Sequence, residues 1–146
     1  MAWLADTNVL SELRKNERCD SGVRAWYENA QDADLFTSVL VIGEARRGIE
    51  SVRRRDPVQA AALDRWLLGL RGSMRDRVLP IEARVAERWG VLNVPDPLPT
   101  VDGLLAATAL EHDLTLVTRN TRDFVSTGVR ILDPFSDSPT HETRRS

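Results

Sequence analysis

Four acidic residues and one amide stand where a parallel α/β chain would assemble a site. Asp6 closes the short apolar run AWLAD, and Glu44 sits inside VLVIGEARRGIESV. Asp102 follows the proline-rich PDPLPT, while Asn120 and Asp123 stand in RNTRDF, directly after the apolar LTLVT. A carboxylate set of this kind can hold a divalent cation, which stabilises charge on a phosphate and makes water nucleophilic near neutral pH. The donors available narrow the choice of ion. Against 22 acidic residues the chain offers one cysteine, Cys19, and two histidines, His112 and His141, so a metal site must be built from oxygen. Oxygen ligands select Mg²⁺ or Mn²⁺ over Zn²⁺.

The elements that must position these residues read as strands alternating with helices. AWLAD (2–6), DLFTS (34–38), VLPI (78–81), LTLVT (114–118) and VRIL (129–132) are short apolar runs between turn-formers and suit buried strands. Between them, TNVLSELRK, residues 21–30 and VLVIGEARRGIESV carry apolar residues at helical spacing. Asp56-Pro57 opens a helix predicted to run to about Leu70, with Val58, Ala62, Trp66 and Leu70 on one stripe. Residues 82–92 and TVDGLLAATALEH form two more helices; RNTRDF is expected to be a loop. This order predicts one α/β/α sandwich around a short, mostly parallel sheet. The domain should span residues 1–135, and SDSPTHETRRS (136–146), with almost nothing to bury, should be a disordered tail.

Ligands of open parallel sheets bind at the carboxyl ends of the strands. Asp6, Asn120 and Asp123 lie at or just after strand ends, Glu44 lies in the helix after the second strand, and Asp102 lies in the first turn of a helix entered through PDPLPT, so all five can converge on one mouth. Each also has a plain structural reading. Asp6, Thr7 or Asn8 could cap the first helix. Glu44 could be a solvated helix charge, and Asp102, two residues after a possible Thr100 cap, could favour the helix dipole. Asn120 and Asp123 could be turn residues. Singly these readings hold; jointly they require a separate reason for every α/β unit.

The totals bound the class. A chain of 146 residues with 42% hydrophobic content fits one globular domain. No stretch approaches a membrane span, and a lone cysteine rules out an intramolecular disulfide, so a cytoplasmic protein is expected. Net charge −2 argues neither for nor against nucleic acid. Of the 20 basic residues only Lys15 is a lysine. Arg46, Arg47 and the run Arg53, Arg54, Arg55 could meet a phosphate backbone or form the solvated face of a helix. Trp26, Trp66 and Trp89 fall on apolar stripes and read as core or interface.

LADTNVLSEL, the isolated GEARRG and VDGLLAATALEHDLTLVTRNTRDF, in this order, resemble the PIN-domain family. Within it the chain is similar to the VapC-type toxin ribonucleases, including the FitB-like branch, from about Ala2 to Pro134. VDGLLAATA and LTLVTRNTRDF are the specific part; the DTN opening alone is weak. The resemblance implies an endoribonuclease dependent on Mg²⁺ or Mn²⁺, dimeric, and neutralised by a VapB-like antitoxin that brings a basic side chain to the acidic pocket. It places the family's first three acidic positions on Asp6, Glu44 and Asp102. At the fourth, relatives carry Asp or Asn in the place of Asn120, with another acidic residue three positions on, here Asp123. Asp6 and Asp102 would contact the metal, Glu44 would orient water, Asn120 would donate to phosphate and Asp123 would complete the charge. Two other classes compete with this reading. A catalytically silent PIN-fold binding module would be favoured by loss of one of the three acids, and all three are present. A small-molecule phosphoryl-transfer enzyme would need a GxxxxGK[ST] loop or a DxDxT-like motif, and neither occurs.

Overall fold

The computed structural model describes residues 1–137 together with Glu142–Thr143. Its strands are β1 (Trp3–Ala5), β2 (Leu35–Ser38), β3 (Val78–Leu79), β4 (Thr115–Val117), β5 (Ile131–Leu132) and β6 (Glu142–Thr143). They lie in the order β3-β2-β1-β4-β5-β6. The first five are parallel, and β6 adds antiparallel to β5. The expected tail over 136–146 falls for the most part outside the described residues. Helices α1 (Thr7–Leu13), α2 (Ser21–Asn29), α3 (Val39–Arg53), α4 (Pro57–Ser73), α5 (Ala83–Leu92) and α6 (Thr100–Glu111) connect the strands. The fold is a three-layer α/β/α sandwich. Among the described residues no helix is long and apolar enough to cross a membrane.

Strand order creates the site before any side chain is considered. From β1 the chain steps one way to β2 and β3, then crosses to the other side of β1 to lay down β4 and β5. Connections therefore leave β1 and β4 in opposite directions and open a crevice beyond their carboxyl ends. The register makes those ends level, with Ala5 opposite Val117 and Val117 opposite Leu132. Asp6 N–H continues the ladder to the Val117 carbonyl (3.0 Å), and Thr118 N–H does so to the Leu132 carbonyl (3.0 Å). Asp6 and Thr118 are thus fixed side by side by backbone pairing.

Leu4, Ala5, Val9, Val23, Leu116, Val117, Phe124 and Ile131 are buried in the main core, as continuous apolar strands covered on both faces require. Helix starts follow their caps. Asp20 accepts from Gly22 and Val23 N–H, Ser38 from Leu40 N–H, and Asp56, just ahead of Pro57, from Gln59 N–H.

Three local expectations change. On α4, Val58 is 82% exposed and Ala62 is also exposed, while Ala60 and Leu67 are buried against Ala45 and Ile49 of α3. So many positions of α4 are apolar that periodicity cannot choose its buried face; packing against α3 chooses it. RNTRDF is not an open loop: residues Thr121–Thr127 wind into 3₁₀ turns because Phe124 is pulled fully into the core. Pro99, rather than Thr100, takes the cap position of α6, with no side-chain cap bond, which still leaves Asp102 in the first turn.

Candidate active site

Asp6 is only 6% exposed and ends β1 while starting α1. Its Oδ1 accepts from Thr7 N–H at 2.7 Å, and its Oδ2 accepts from the Thr118 hydroxyl at 2.8 Å. Thr118 has spent its only proton on Asp6, so its oxygen can only accept further: from Asn8 Nδ2 at 3.3 Å and from Asn120 N–H at 3.0 Å. Asn8 Oδ1 accepts from Arg119 N–H at 3.1 Å. Glu44, half-buried on α3, accepts the Thr7 hydroxyl on Oε1 at 2.7 Å. One polar network thus joins the ends of β1 and β4 to α3.

The carboxylates of Asp102, half-buried in the first turn of α6, and of Asp123, exposed in the 3₁₀ turns, take no hydrogen bond or ion pair among the described residues. Their position shows instead in the electrostatics. Burial pushes the Asp102 carboxyl above its ordinary range, and the charges of Asp123, Asp6 and Glu44 push it further. Burial likewise raises the Asp6 carboxyl; the bonds from Thr118 and Thr7 pull it back, and Glu44 adds to the rise. Among the described residues no cationic side chain offsets either. Asp6, Glu44, Asp102 and Asp123 therefore share one field at the crevice mouth, with Asn120 held at its rim through its backbone N–H.

This donor set fits a hydrated hard cation. Among the described residues no group of three or more His, Cys, Asp and Glu side chains is set to hold a metal ion outright, so no zinc-type cage is built. Mg²⁺ keeps several of its waters and takes one or two carboxylates. Asp6 and Asp102 carry the carboxylates whose ionised form is most penalised by burial, which is the condition a cation relieves.

Some functional geometry escaped the sequence reading. Asp6 is both a helix cap and a wall of the acidic mouth. Thr7 grips Glu44 rather than Asp6 through its side chain, and Asn8 serves Thr118 and Arg119. Spacing shows none of these, since each bond needs the angle at which α1 leaves the sheet. Of the arginines singled out, Arg46 and Arg53 are taken by Glu50 and Asp64 on the α3–α4 face. Trp26 stands edge-on to Trp3 with centroids 5.9 Å apart and packs half-buried against the main core, Trp89 packs half-buried over Gly103 of α6, and the indole N–H of each is buried with no partner among the described residues. A separate cleft of about 470 Å³, lined by Leu10, Leu13, Tyr27, Trp66, Leu70 and Met74 among others, includes none of the five acidic-site residues.

Comparison with known proteins agrees with this arrangement. The PIN domain family model matches residues 4–129. The toxin FitB of Neisseria gonorrhoeae is 31% identical over 92% of this chain and 99% of its own length. The VapC ribonuclease Y4jK of Sinorhizobium fredii is 31% identical over 89% and 95%. The crystal structure of FitAcB from Neisseria gonorrhoeae superposes with a TM-score of 0.81 at 27% identity, covering 90% of this chain and 97% of that one. With the family model spanning most of the chain, relatives matching it from end to end, and the acidic mouth at the switch point of its sheet, the chain belongs to the PIN-domain family, among the VapC- and FitB-like proteins.

Proposed function

We propose that this protein is the toxin of a toxin–antitoxin pair, an endoribonuclease that cleaves RNA phosphodiester bonds with Mg²⁺ or Mn²⁺. The observation that carries the reading is the shared field of Asp6, Glu44, Asp102 and Asp123, offset by no cationic side chain among the described residues, at the carboxyl ends of β1 and β4. Relatives named as a toxin and as a ribonuclease, matched over nearly their whole lengths, support it. Asp6 and Asp102 would hold the ion. When bound, it supplies Lewis-acid stabilisation of the phosphate and a water acidic enough to attack near neutral pH.

The chain's own residues do the positioning. Thr118 and Thr7 N–H fix both oxygens of Asp6, so its carboxylate meets the ion in one orientation. Thr7 occupies Oε1 of Glu44 and leaves Oε2 to orient the attacking water and receive its proton. Asn120, at the rim, donates its amide to a phosphate oxygen, and Asp123 completes the negative pocket. The partners are an RNA substrate, a second copy in a homodimer, and a VapB-like antitoxin; the cleft beside α1, α2 and α4, with apolar walls edged by Arg14, Glu17, Arg24 and Arg77, offers surface for a segment of the latter.

Total RNA incubated with the protein should be cut in Mg²⁺ or Mn²⁺, spared in EDTA, and not rescued well by Zn²⁺. Undiminished cutting in excess EDTA would overturn the mechanism. Induction in bacteria should arrest growth for wild type and not for Asp6→Ala, and equal arrest by both would remove the nuclease explanation.

A further inference from the structure

A mouth lined by four carboxylates repels the polyanion it is proposed to cut, so the strand needs cations on the rim. Arg119 meets that need by its placement. It directly follows Thr118, whose hydroxyl holds Asp6, and its own N–H is fixed on Asn8 Oδ1 at 3.1 Å. Its guanidinium lies 4.3 Å from the centroid of the Phe135 ring, and one end reaches Asp137 Oδ2 at 2.5 Å. Stacking on an aromatic face orients the planar fork, and the fork matches a phosphate as well as a carboxylate. Both partners of the ion pair face solvent, Arg119 at 47% and Asp137 at 64% side-chain exposure, so the pair is weak and exchangeable. The segment carrying Phe135 and Asp137 is itself tied down, since Ser136 donates to Asp20 through its N–H (3.0 Å) and its hydroxyl (2.6 Å).

We propose that Arg119 is the rim residue that takes a phosphate of the RNA strand, and that Asp137 occupies it until RNA arrives. The inference rests on the ribonuclease reading above. Asp137 then acts as an internal competitor. Removing its charge frees the fork, whereas removing Arg119 deletes one phosphate contact.

The test titrates a fluorescein-labelled single-stranded RNA in EDTA over a series of salt concentrations, and measures KM for its cleavage in Mg²⁺. Arg119→Ala should weaken binding by roughly tenfold and flatten the log K against log salt slope by about 0.7, the share of one phosphate on a single strand. Arg119→Lys should keep the slope and regain part of the affinity. Asp137→Asn should tighten binding by about threefold and lower KM. Arg71→Ala, which removes the same charge from the exposed last turn of α4, should do neither. If wild type cuts RNA while Arg119→Ala matches it in slope and KM, or Asp137→Asn binds no tighter, this assignment fails alone. If wild type neither binds nor cuts RNA, the ribonuclease reading fails and takes the assignment with it.

Discussion

At Asp6 and Asp102 the same chemistry has opposite structural support. Asp6 is buried but held by two donors; Asp102 is half-buried and held by none. The two sites therefore predict stability changes of opposite sign with the same loss of activity. In EDTA, Asp102→Asn removes a charge penalised by burial and by Asp123, Asp6 and Glu44, and should melt higher, by at most about 1 kcal/mol or roughly 3 °C because solvent screens part of the repulsion. Thr118→Val, close in shape, strips the donor from Asp6 and the acceptor from Asn8 and Asn120, and should cost about 1–3 kcal/mol. Thermal melts beside an RNA cleavage assay read both. An Asp102→Asn variant that melts lower in EDTA would return Asp102 to an ordinary helix-end charge. The residue types were legible in the sequence because carboxylates at strand ends announce themselves by position. The bonds that orient them were not, since Thr7 and Glu44 are brought together only by the packing of α1 against α3.

Alternation of apolar runs was enough to reveal the elements, because a parallel strand buried on both faces leaves little choice of residues. Where a helix is apolar on several sides the pattern went silent, as α4 shows: Trp66 and Leu70 of its stripe pack on the core, while Val58 and Ala62 face solvent. Its buried face is set by α3 and then overlaid by Arg46 and Arg53 on Glu50 and Asp64, exposed pairs that add little each. The start of α2 carries more. Burial pushes the Asp20 carboxyl up, but bonds from Ser136, Val23 and Gly22 outweigh it and hold the group below its usual value of 3.8. Beside it Gly22 leaves no room for a side chain, since an added Cβ would lie 2.3 Å from the Pro134 carbonyl oxygen. Asp20→Ala removes the cap of α2 and the tie to Ser136 together, and should cost about 1–2 kcal/mol. A carboxyl lowered by folding contributes stability that is complete above its unfolded value and is lost as pH falls through the folded one. The gap between wild type and Asp20→Ala should therefore hold from neutral pH to about 5 and close below 4. A gap unchanged in urea melts at pH 3 would mean that Asp20 acts through packing and not through its charge.

Across the whole molecule, folding gathers carboxylates that the unfolded chain keeps apart, and the cost falls on the metal-free state. Asp6 and Asp102 have folded values raised above their unfolded ones, so the native state binds more protons than the unfolded state does near the raised values. In EDTA, stability should therefore rise as pH falls from neutral through that window, and turn down only where groups such as Asp20 lose their charge. A divalent cation held as proposed would reverse the dependence. It would bind the folded mouth and not the dispersed chain, and stabilise by RT ln(1 + [L]/Kd), about 2.7 kcal/mol at a hundredfold excess over Kd. It would also require both carboxylates ionised, so each proton on Asp6 or Asp102 would compete with it. The rise in Tm on adding Mg²⁺ should accordingly be large at pH 7.5, shrink toward pH 5, and be nearly absent in Asp102→Asn at either pH. Differential scanning calorimetry of wild type and Asp102→Asn with Mg²⁺ and with EDTA, at both values, separates this from nonspecific ionic effects. Salt that merely screens surface charge would shift both proteins alike, at both pH values, and would leave the acidic mouth without a bound ion.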